Sequence, residues 1–409
     1  MINENNNISF GNKDKKNNTQ IINQNFIDNK NINFTVTPWE VKGDIDYNKL
    51  IEKFGTFEIT TNIIEQFKKI TGEIHPFLKN KYFFSHRDLD WILKEYQNGN
   101  KFYLYTGRGP SGLIHVGHLM PWLFTKYIQD KFNVKLLFQL TDDEKFLFND
   151  KNDLEMIDIF TYENVLDIIA IGFDSAKTNI IIDTKHINYL YPISLEIAKR
   201  ITFSTAKSVF GFSNSSNIGM IGFPPIQSAP CFLPSVIEKK PTPVLIPAAI
   251  DQDPYWRITR DIAEKIGYYK PAQIHSKFIP GLINNGKMSS SKPDSALFTK
   301  DDPELIEKKV KNTFTGGQPT VSLQRKLGGN ADICPVYWYL KYLFDNEEES
   351  IQRYNNCKGG SLLCGDCKND LIKDVKPFIK DIQRKREKAK DMIKEFMIDG
   401  KDLDYKDKK

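Results

Sequence analysis

Apolar residues from about position 100 onward follow two different periods. Short apolar runs rich in β-prone residues predict buried strands at 102–105, 135–140, 179–182 and 244–246. Segments in which apolar residues return every three or four positions predict helices at 117–131, 154–171 and 254–266. Because these strands and helices alternate, the pattern predicts an α/β fold in which helices cover both faces of a parallel sheet.

The rest of the chain divides around this core. Residues 1–33 are rich in Asn and Lys and poor in apolar residues, which predicts a disordered tail. Residues 34–100 predict an N-terminal unit, with a hairpin from two β-prone pieces at 34–36 and 39–41 and helices at 63–70 and 89–96. We expect the α/β domain to span 101–302, a helical domain to span 303–398 and a second tail to span 399–409.

Composition and charge narrow the class of protein. The chain has 57 Lys and Arg against 52 Asp and Glu, a net charge of +5, which is compatible with an acidic partner but does not require one. Five Cys in 409 residues do not make a disulfide scaffold. No apolar run reaches the roughly 18 residues of a membrane span, and no charged segment followed by an apolar one begins the chain. We therefore expect a soluble cytoplasmic protein.

A glycine-rich turn follows the first predicted strand. The sequence from Gly107 to Gly112 formally matches G-x-G-x-x-G, which alone would suggest NAD or FAD binding. Two features oppose this interpretation. Pro110 restricts the backbone where a dinucleotide turn must fold tightly, and the predicted helix begins only after His118, too late for the third glycine to pack at its start.

The next segment places two imidazoles three residues apart. His115 and His118 flank Gly117 at the start of a predicted helix and at the end of a predicted parallel strand. Helix N-termini favour phosphate, imidazole N–H groups can donate to phosphate oxygens, and glycine lets a flat base approach the backbone. The alternative is that both are ordinary polar residues of a helix cap. A zinc site is disfavoured, because no third ligand lies nearby in the sequence.

A second polar segment lies about 170 residues further along. Lys287-Met288-Ser289-Ser290-Ser291 follows the turn Asn284-Asn285-Gly286, and a lysine on such a loop can supply a point charge to a polyphosphate. Either segment alone could be an ordinary surface feature. Together they resemble the two signature motifs of class I aminoacyl-tRNA synthetases, which implies a Rossmann-like catalytic domain, an anticodon-binding helical domain, and ATP as a substrate with Mg²⁺.

Further segments resemble the eukaryotic-type tryptophanyl-tRNA synthetases. They run from about 38 to 397 and include 83–88, 106–111, 141–145, 223–227, 249–255 and 394–397. The resemblance implies that Tyr105 and Gln139 recognise the indole N–H, a group that can only donate and therefore needs acceptors. It also implies that the substrate ammonium group is surrounded by Glu144, Gln227 and Gln252.

The resemblance assigns the remaining site residues. Charge on the phosphates would be stabilised by His115, His118, Lys145 and Lys287. ATP would also contact Arg108, Gly109, Gly117, Met288, Ser289, Ser290, Ser291 and, from the N-terminal hairpin, Trp39. The implied partners are L-tryptophan, tRNA(Trp) and a second copy of the chain, since the family is dimeric.

Several alternatives remain open at this stage. Tyr105 and Gln139 could be buried structural polar groups, and the acidic segment 142–144 could be a solvated loop. A tyrosyl-tRNA synthetase shares the fold, although the segments 141–145 and 249–255 favour tryptophan. A catalytically silent RNA-binding or signalling paralogue is a second alternative, against which the intact His115, His118 and Lys287 speak. Ser290 stands where many class I enzymes have Lys.

Three cysteines close together are not explained by the resemblance. Cys364 and Cys367 have the spacing of a metal knuckle, and Cys357 lies close to them in the sequence. Because structural zinc prefers four ligands and no His is close, we expect surface thiols and no metal.

Overall fold

The centre of the fold is a mixed sheet. The computed structural model describes residues 35–36, 41–43, 45–283, 288, 290 and 292–403. In this part of the chain the strands are β1 (Thr35–Val36), β2 (Val41–Lys42), β3 (Phe57–Glu58), β4 (Phe83–Arg87), β5 (Tyr103–Arg108), β6 (Lys135–Leu140), β7 (Thr178–Ile182), β8 (Val244–Ala249) and β9 (Ala272–Ser276). Seven of them form one sheet in the order β3-β4-β9-β8-β5-β6-β7, while β1 and β2 form the predicted hairpin.

Helices occupy most of the remaining described chain. They are α1 (Tyr47–Phe54), α2 (Thr61–Thr71), α3 (Pro76–Lys79), α4 (Leu89–Gln97), α5 (Val116–Phe132), α6 (Asp142–Leu147), α7 (Leu154–Ala170), α8 (Asp183–Ala198), α9 (Phe203–Phe210), α10 (Ile218–Ser228), α11 (Leu233–Ile237), α12 (Asp253–Ala263), α13 (Pro303–Lys311), α14 (Val321–Leu327), α15 (Pro335–Leu343), α16 (Glu347–Lys358), α17 (Cys364–Ala389) and α18 (Ile393–Phe396). No described helix is long and apolar enough to cross a membrane.

The parallel part of the sheet confirms the predicted α/β fold. Strands β9, β8, β5, β6 and β7 are parallel, and β6 has the predicted bounds. Alternate residues of each strand enter two separate cores: Leu136 and Phe138 pack on one face, and Leu137 packs on the other. Burial on both faces explains why β5, β6, β7 and β8 contain the continuous apolar runs that predicted them.

The other edge of the sheet was not predicted. Strands β4 and β9 pair in antiparallel fashion, and β3 extends the sheet beyond β4. Both β4 and β9 carry buried polar residues, including Ser85 and His275, whose side chains hydrogen-bond each other at 3.0 Å. Polar residues of this kind interrupt the apolar run that would have predicted a strand.

The C-terminal region is helical, as predicted. Its last predicted helix is two helices, α17 and α18, separated by a short turn. The predicted apolar face is buried and comprises Ile379, Ile382, Ala389, Ile393 and Phe396. The basic side chains of Lys380, Arg384 and Lys388 are exposed, and that of Lys385 is partly exposed. The proposed domain boundaries remain predictions, and the tail at 1–33 lies outside the described residues.

The topology marks one place for a ligand. Strand β5 lies between β6, which follows it in the sequence, and β8, which comes much later. The strand order therefore reverses beside β5, and ligands of open α/β sheets bind at the carboxyl ends of strands at such a point.

Candidate active site

A cavity of about 280 Å³ opens at the carboxyl ends of β5, β6 and β8. Its wall brings together residues that are far apart in the sequence. Of the predicted site residues, those that line it are Arg108, Gly109, His115, Gly117, His118, Glu144, Lys145, Gln227, Gln252 and Met288. Trp39, Lys287, Ser289 and Ser291 lie outside the described residues.

The two histidines begin helix α5. His115 is the N-cap residue, and its backbone N–H donates to Nδ1 of His118 at 3.3 Å. Their rings stack with centroids 3.6 Å apart and planes 20° from parallel. Both side chains therefore face the cavity at a helix N-terminus, where the helix dipole favours a phosphate group.

The described residues of the segment 287–291 pack against this helix start. A Cβ atom on Gly117 would lie 3.0 Å from Cε of Met288, so a larger side chain would displace Met288. The hydroxyl of Tyr339 donates to the Met288 sulfur at 3.1 Å, and Ser290 Oγ donates to the carbonyl oxygen of Leu113 at 3.2 Å. The two signature segments are therefore in contact across the cavity.

Cationic side chains cover one wall of the cavity. Lys145 Nζ pairs with Glu144 Oε2 at 2.9 Å, and a Cβ atom on Gly109 would lie only 1.8 Å from Cε of Lys145. A larger residue at 109 would therefore displace the end of the Lys145 side chain. Burial lowers the pKa of Arg108 to about 10, and two of its guanidinium nitrogens have no hydrogen-bond partner among the described residues. Unsatisfied buried donors beside a lysine suit an anionic ligand.

The predicted indole acceptors lie behind the cavity wall. The Tyr105 hydroxyl lies 2.5 Å from Gln139 Oε1 and 2.9 Å from the carbonyl oxygen of Gln227, and it accepts from Gln227 Nε2 at 3.2 Å. Tyr105 and Gln139 are fully buried, whereas Gln227 lines the cavity. Tyr105 and Gln139 therefore contact each other, and Gln227, which hydrogen-bonds Tyr105, lies between Tyr105 and the cavity lining to which it belongs. Burial raises the pKa of Tyr105 well above its usual value, so its hydroxyl stays protonated.

The acidic segment after β6 is not a solvated loop. Asp142 is buried and accepts from the backbone N–H of Thr184 at 3.1 Å and from its hydroxyl. Burial, and then the charge of Asp142, raise the pKa of Asp143 to about 6. The segment is thus docked on the first turn of α8, which fixes the position of Glu144 in the cavity.

A buried ion pair supports the loop that carries Gln252. Arg87 donates to both carboxylate oxygens of Asp253 at 2.7 and 3.0 Å, and to the carbonyl oxygens of Phe54 and Gly55 at 2.5 and 2.9 Å. Sequence reasoning matched the segments of Arg87 and Asp253 to a family without assigning either residue a role. Their spacing of 166 positions gave no local signal for the pair.

The C-terminal cysteines gain a fourth neighbour. Cys334, at the N-cap of α15, lies close enough to Cys357, Cys364 and Cys367 to interact electrostatically with each. Burial, helped by Cys334 and Cys364, raises the pKa of Cys357 to about 11. Among the described residues, no three His, Cys, Asp or Glu side chains are arranged to hold a metal ion. The expectation of surface thiols was wrong for Cys367, which is buried, while Cys357 and Cys364 are partly exposed.

Comparison with known proteins places these features in a family context. Residues 97–380 match the family described as tRNA synthetases class I (W and Y). The chain is 49% identical over 369 residues to the tryptophan–tRNA ligase of Pyrobaculum calidifontis, covering 90% of this chain and 98% of that protein. It is 51% identical over 371 residues to the tryptophan–tRNA ligase of Thermococcus sibiricus, covering 90% and 95%.

Solved structures agree with the sequence relatives. The tryptophanyl-tRNA synthetase of Plasmodium falciparum superposes with a TM-score of 0.80 at 42% identity, covering 86% of this chain and 95% of that one. The tryptophan-bound tryptophanyl-tRNA synthetase of Encephalitozoon cuniculi has a TM-score of 0.79 at 36% identity, covering 87% and 98%. The fold and nearly the whole length are thus shared with both structures.

Proposed function

The chain belongs to the tryptophan–tRNA ligases, a family of class I aminoacyl-tRNA synthetases, and we propose that the cavity described above is its active site. The observation that carries the proposal is the contact between the helix start of His115 and His118 and the segment of Met288 and Ser290. Relatives include archaeal and parasite proteins, so the family statement is broader than the eukaryotic type.

The first step is activation of L-tryptophan. The substrate carboxylate attacks the α-phosphate of ATP, tryptophanyl-adenylate forms, and pyrophosphate leaves. His115 and His118 at the start of α5 hold phosphate oxygens, and Arg108 and Lys145 face the same space. Lys287 supplies further charge in this proposal. The residues act by positioning and by electrostatic stabilisation, without a covalent protein intermediate.

Tryptophan is recognised at two places. Tyr105 and Gln139 accept the indole N–H, and Glu144, Gln227 and Gln252 surround the ammonium group. Gln227 Nε2 now donates to the Tyr105 hydroxyl, so it must shift when the indole ring reaches these acceptors. Trp39 closes over ATP from the hairpin, with Gly109, Gly117 and Ser289 to Ser291 as further contacts.

Magnesium would accompany the nucleotide. Mg²⁺ keeps several waters and is usually bound through substrate phosphates. The ATP phosphates would hold the ion, since no three His, Cys, Asp or Glu side chains of the described residues are arranged to hold a metal.

The second step transfers the tryptophanyl group to a terminal ribose hydroxyl of tRNA(Trp). We assign anticodon recognition to the helical region 303–398, whose exposed basic residues suit a phosphate backbone. We propose that the reaction takes place in the cytoplasm.

A homodimer is supported by an exposed apolar face. Tyr191 and Leu195 lie one turn apart on α8 and are 53% and 51% exposed. Ile218, at the start of the neighbouring helix α10, is 83% exposed. Large exposed apolar side chains on neighbouring elements commonly mark a protein interface, and a two-fold dimer is the commonest form of homo-oligomer.

An analogue experiment tests the site assignment. The wild-type protein is expected to activate tryptophan well and its benzothiophene analogue, which lacks the N–H, by as much as ~10⁴-fold less. The double variant Tyr105→Phe with Gln139→Leu removes both acceptors, so it should lose tryptophan activity and narrow the gap. The measurement is kcat/KM for both substrates on both proteins. An equally wide gap in the double variant would show that these residues do not read the indole nitrogen.

A further inference from the structure

The indole pocket depends on which end of the Gln139 side chain faces it. A primary amide carries an accepting oxygen at one end and two donating N–H groups at the other, and rotation by 180° exchanges them. Only the accepting orientation can help to select an indole N–H. A site built from Tyr105 and Gln139 therefore needs a third group that prevents the rotation. This inference rests on the proposed function of the pocket.

Asp183 contacts the far end of that amide. Gln139 Nε2 donates to both carboxyl oxygens of Asp183, at 2.8 and 3.0 Å. Both residues are fully buried, so water cannot replace either partner. Rotation of the amide would place Gln139 Oε1 against the two Asp183 oxygens that now accept from Nε2. The cost of such a buried mismatch excludes the rotated form.

The position of Asp183 follows from the topology. Gln139 lies in β6 beside Ile181 of β7, and Asp183 directly follows β7 as the first residue of α8. The carboxyl ends of adjacent parallel strands thus bring the two side chains together. Burial, and then the charge of Asp143, raise the pKa of Asp183 well above its usual value, and the hydrogen bond between the two carboxyl groups directs the Asp183 proton to Asp143 and away from Gln139.

Hydrogen bonds connect Asp183 to Tyr105 through Gln139. Asp183 accepts from the Gln139 amide, and the Tyr105 hydroxyl lies 2.5 Å from Gln139 Oε1 and 2.9 Å from the carbonyl oxygen of Gln227. The hydroxyl donates to one of these two oxygens, and its own oxygen is left to accept. At present Gln227 Nε2 donates to that oxygen. We infer that Asp183 is a specificity-determining positioning residue, which holds Gln139 so that both pocket groups present acceptors to the substrate. Asp183 does not touch the substrate in this arrangement.

The test compares isosteric Asp→Asn variants at two buried carboxyl groups. In Asp183→Asn the new amide can accept from or donate to Gln139, so the orientation of the Gln139 amide is no longer fixed. The ratio of kcat/KM for tryptophan to that for its benzothiophene analogue should fall at least tenfold. The matched control is Asp167→Asn, because Asp167 is also a buried carboxyl group but pairs with Arg386 and does not line the cavity. Its ratio should stay within about twofold of the wild-type value.

Exchanging the amide of Gln139 and the carboxyl group of Asp183 distinguishes an effect on the orientation of residue 139 from an effect on folding. Gln139→Glu alone places a third carboxyl beside Asp143 and Asp183 and should reduce activity on tryptophan. Combined with Asp183→Asn, it restores a donor facing an acceptor, with the acceptor again towards the pocket. The double variant should regain most of the discrimination lost in Asp183→Asn, which a merely structural role for Asp183 does not predict. If Asp183→Asn fails to fold, a folded and discriminating double variant supports the inference, and a double variant that also fails overturns it.

The outcomes distinguish this inference from the proposed function. A wild-type protein that does not discriminate between the two substrates would contradict the assignment of the pocket itself. A wild-type protein that discriminates strongly, with the same ratio in Asp183→Asn, would leave the pocket standing and overturn the role of Asp183.

Discussion

The pair Arg87–Asp253 gives a stability prediction with a worked magnitude. Asp253 is fully buried, and the Arg87 side chain is 13% exposed, so Arg87→Leu leaves a desolvated carboxylate without its main partner. Removing one member of a buried ion pair costs about 3–5 kcal/mol. Because Arg257 lies 3.5 Å away and partly compensates, we expect about 3 kcal/mol.

Urea unfolding of four proteins measures this effect: the wild type, Arg87→Leu, Asp253→Leu and the double variant. The double variant should be more stable than the sum of the two single losses predicts, by roughly 1.5 kcal/mol or more, because it removes both charges. The control is Arg200→Leu, which breaks an exposed pair with Glu196 and should cost about 0.5 kcal/mol or less. A loss for Arg87→Leu as small as that of the control would refute the reasoning. KM for tryptophan should also rise in Arg87→Leu, since the loop of Gln252 loses its support.

Three further predictions concern charge and reactivity. His118→Ala should lower single-turnover adenylate formation by roughly 10²-fold while equilibrium tryptophan binding is retained, and a near-normal rate would remove His118 from the mechanism. Burial lowers the pKa of His275 to about 4 from 6.5, so the unfolded chain binds more protons and stability falls as pH drops from 6.5 to 4. The loss should reach about 3 kcal/mol at pH 4 and be smaller in His275→Gln, as measured by urea unfolding across that range. Burial raises the pKa of Cys357 to about 11 and that of Cys367 to about 12, so alkylation at pH 8 should be slow in the folded protein and fast in urea, as followed by mass spectrometry.

Local patterns in the sequence predicted the elements that build the core. Strand β6 and helix α5 could be placed because an apolar run and a helical period each occur within one short segment. Strand β9 could not, because Gln273 and His275 are polar residues whose burial depends on partners from other elements.

The residues of the candidate site likewise divide into those that a local motif predicted and those that meet only in the folded chain. His115 and His118 could be singled out because both stand in one motif at a helix start. Asp183 could not, since its partner Gln139 lies 44 residues earlier and the two meet only when β6 and β7 pair. Arg87 and Asp253 likewise become partners only through the fold. The roles of Trp39 and Lys287 remain predictions, since both lie outside the described residues.

The most direct test of the account is ATP–pyrophosphate exchange measured with each of the twenty amino acids on the wild-type protein. The proposed function predicts strong exchange with tryptophan and background exchange with the other nineteen amino acids. The matched family includes both tryptophan and tyrosine enzymes, so tyrosine is the decisive comparison. Exchange driven mainly by tyrosine, or none with any amino acid, would contradict the account.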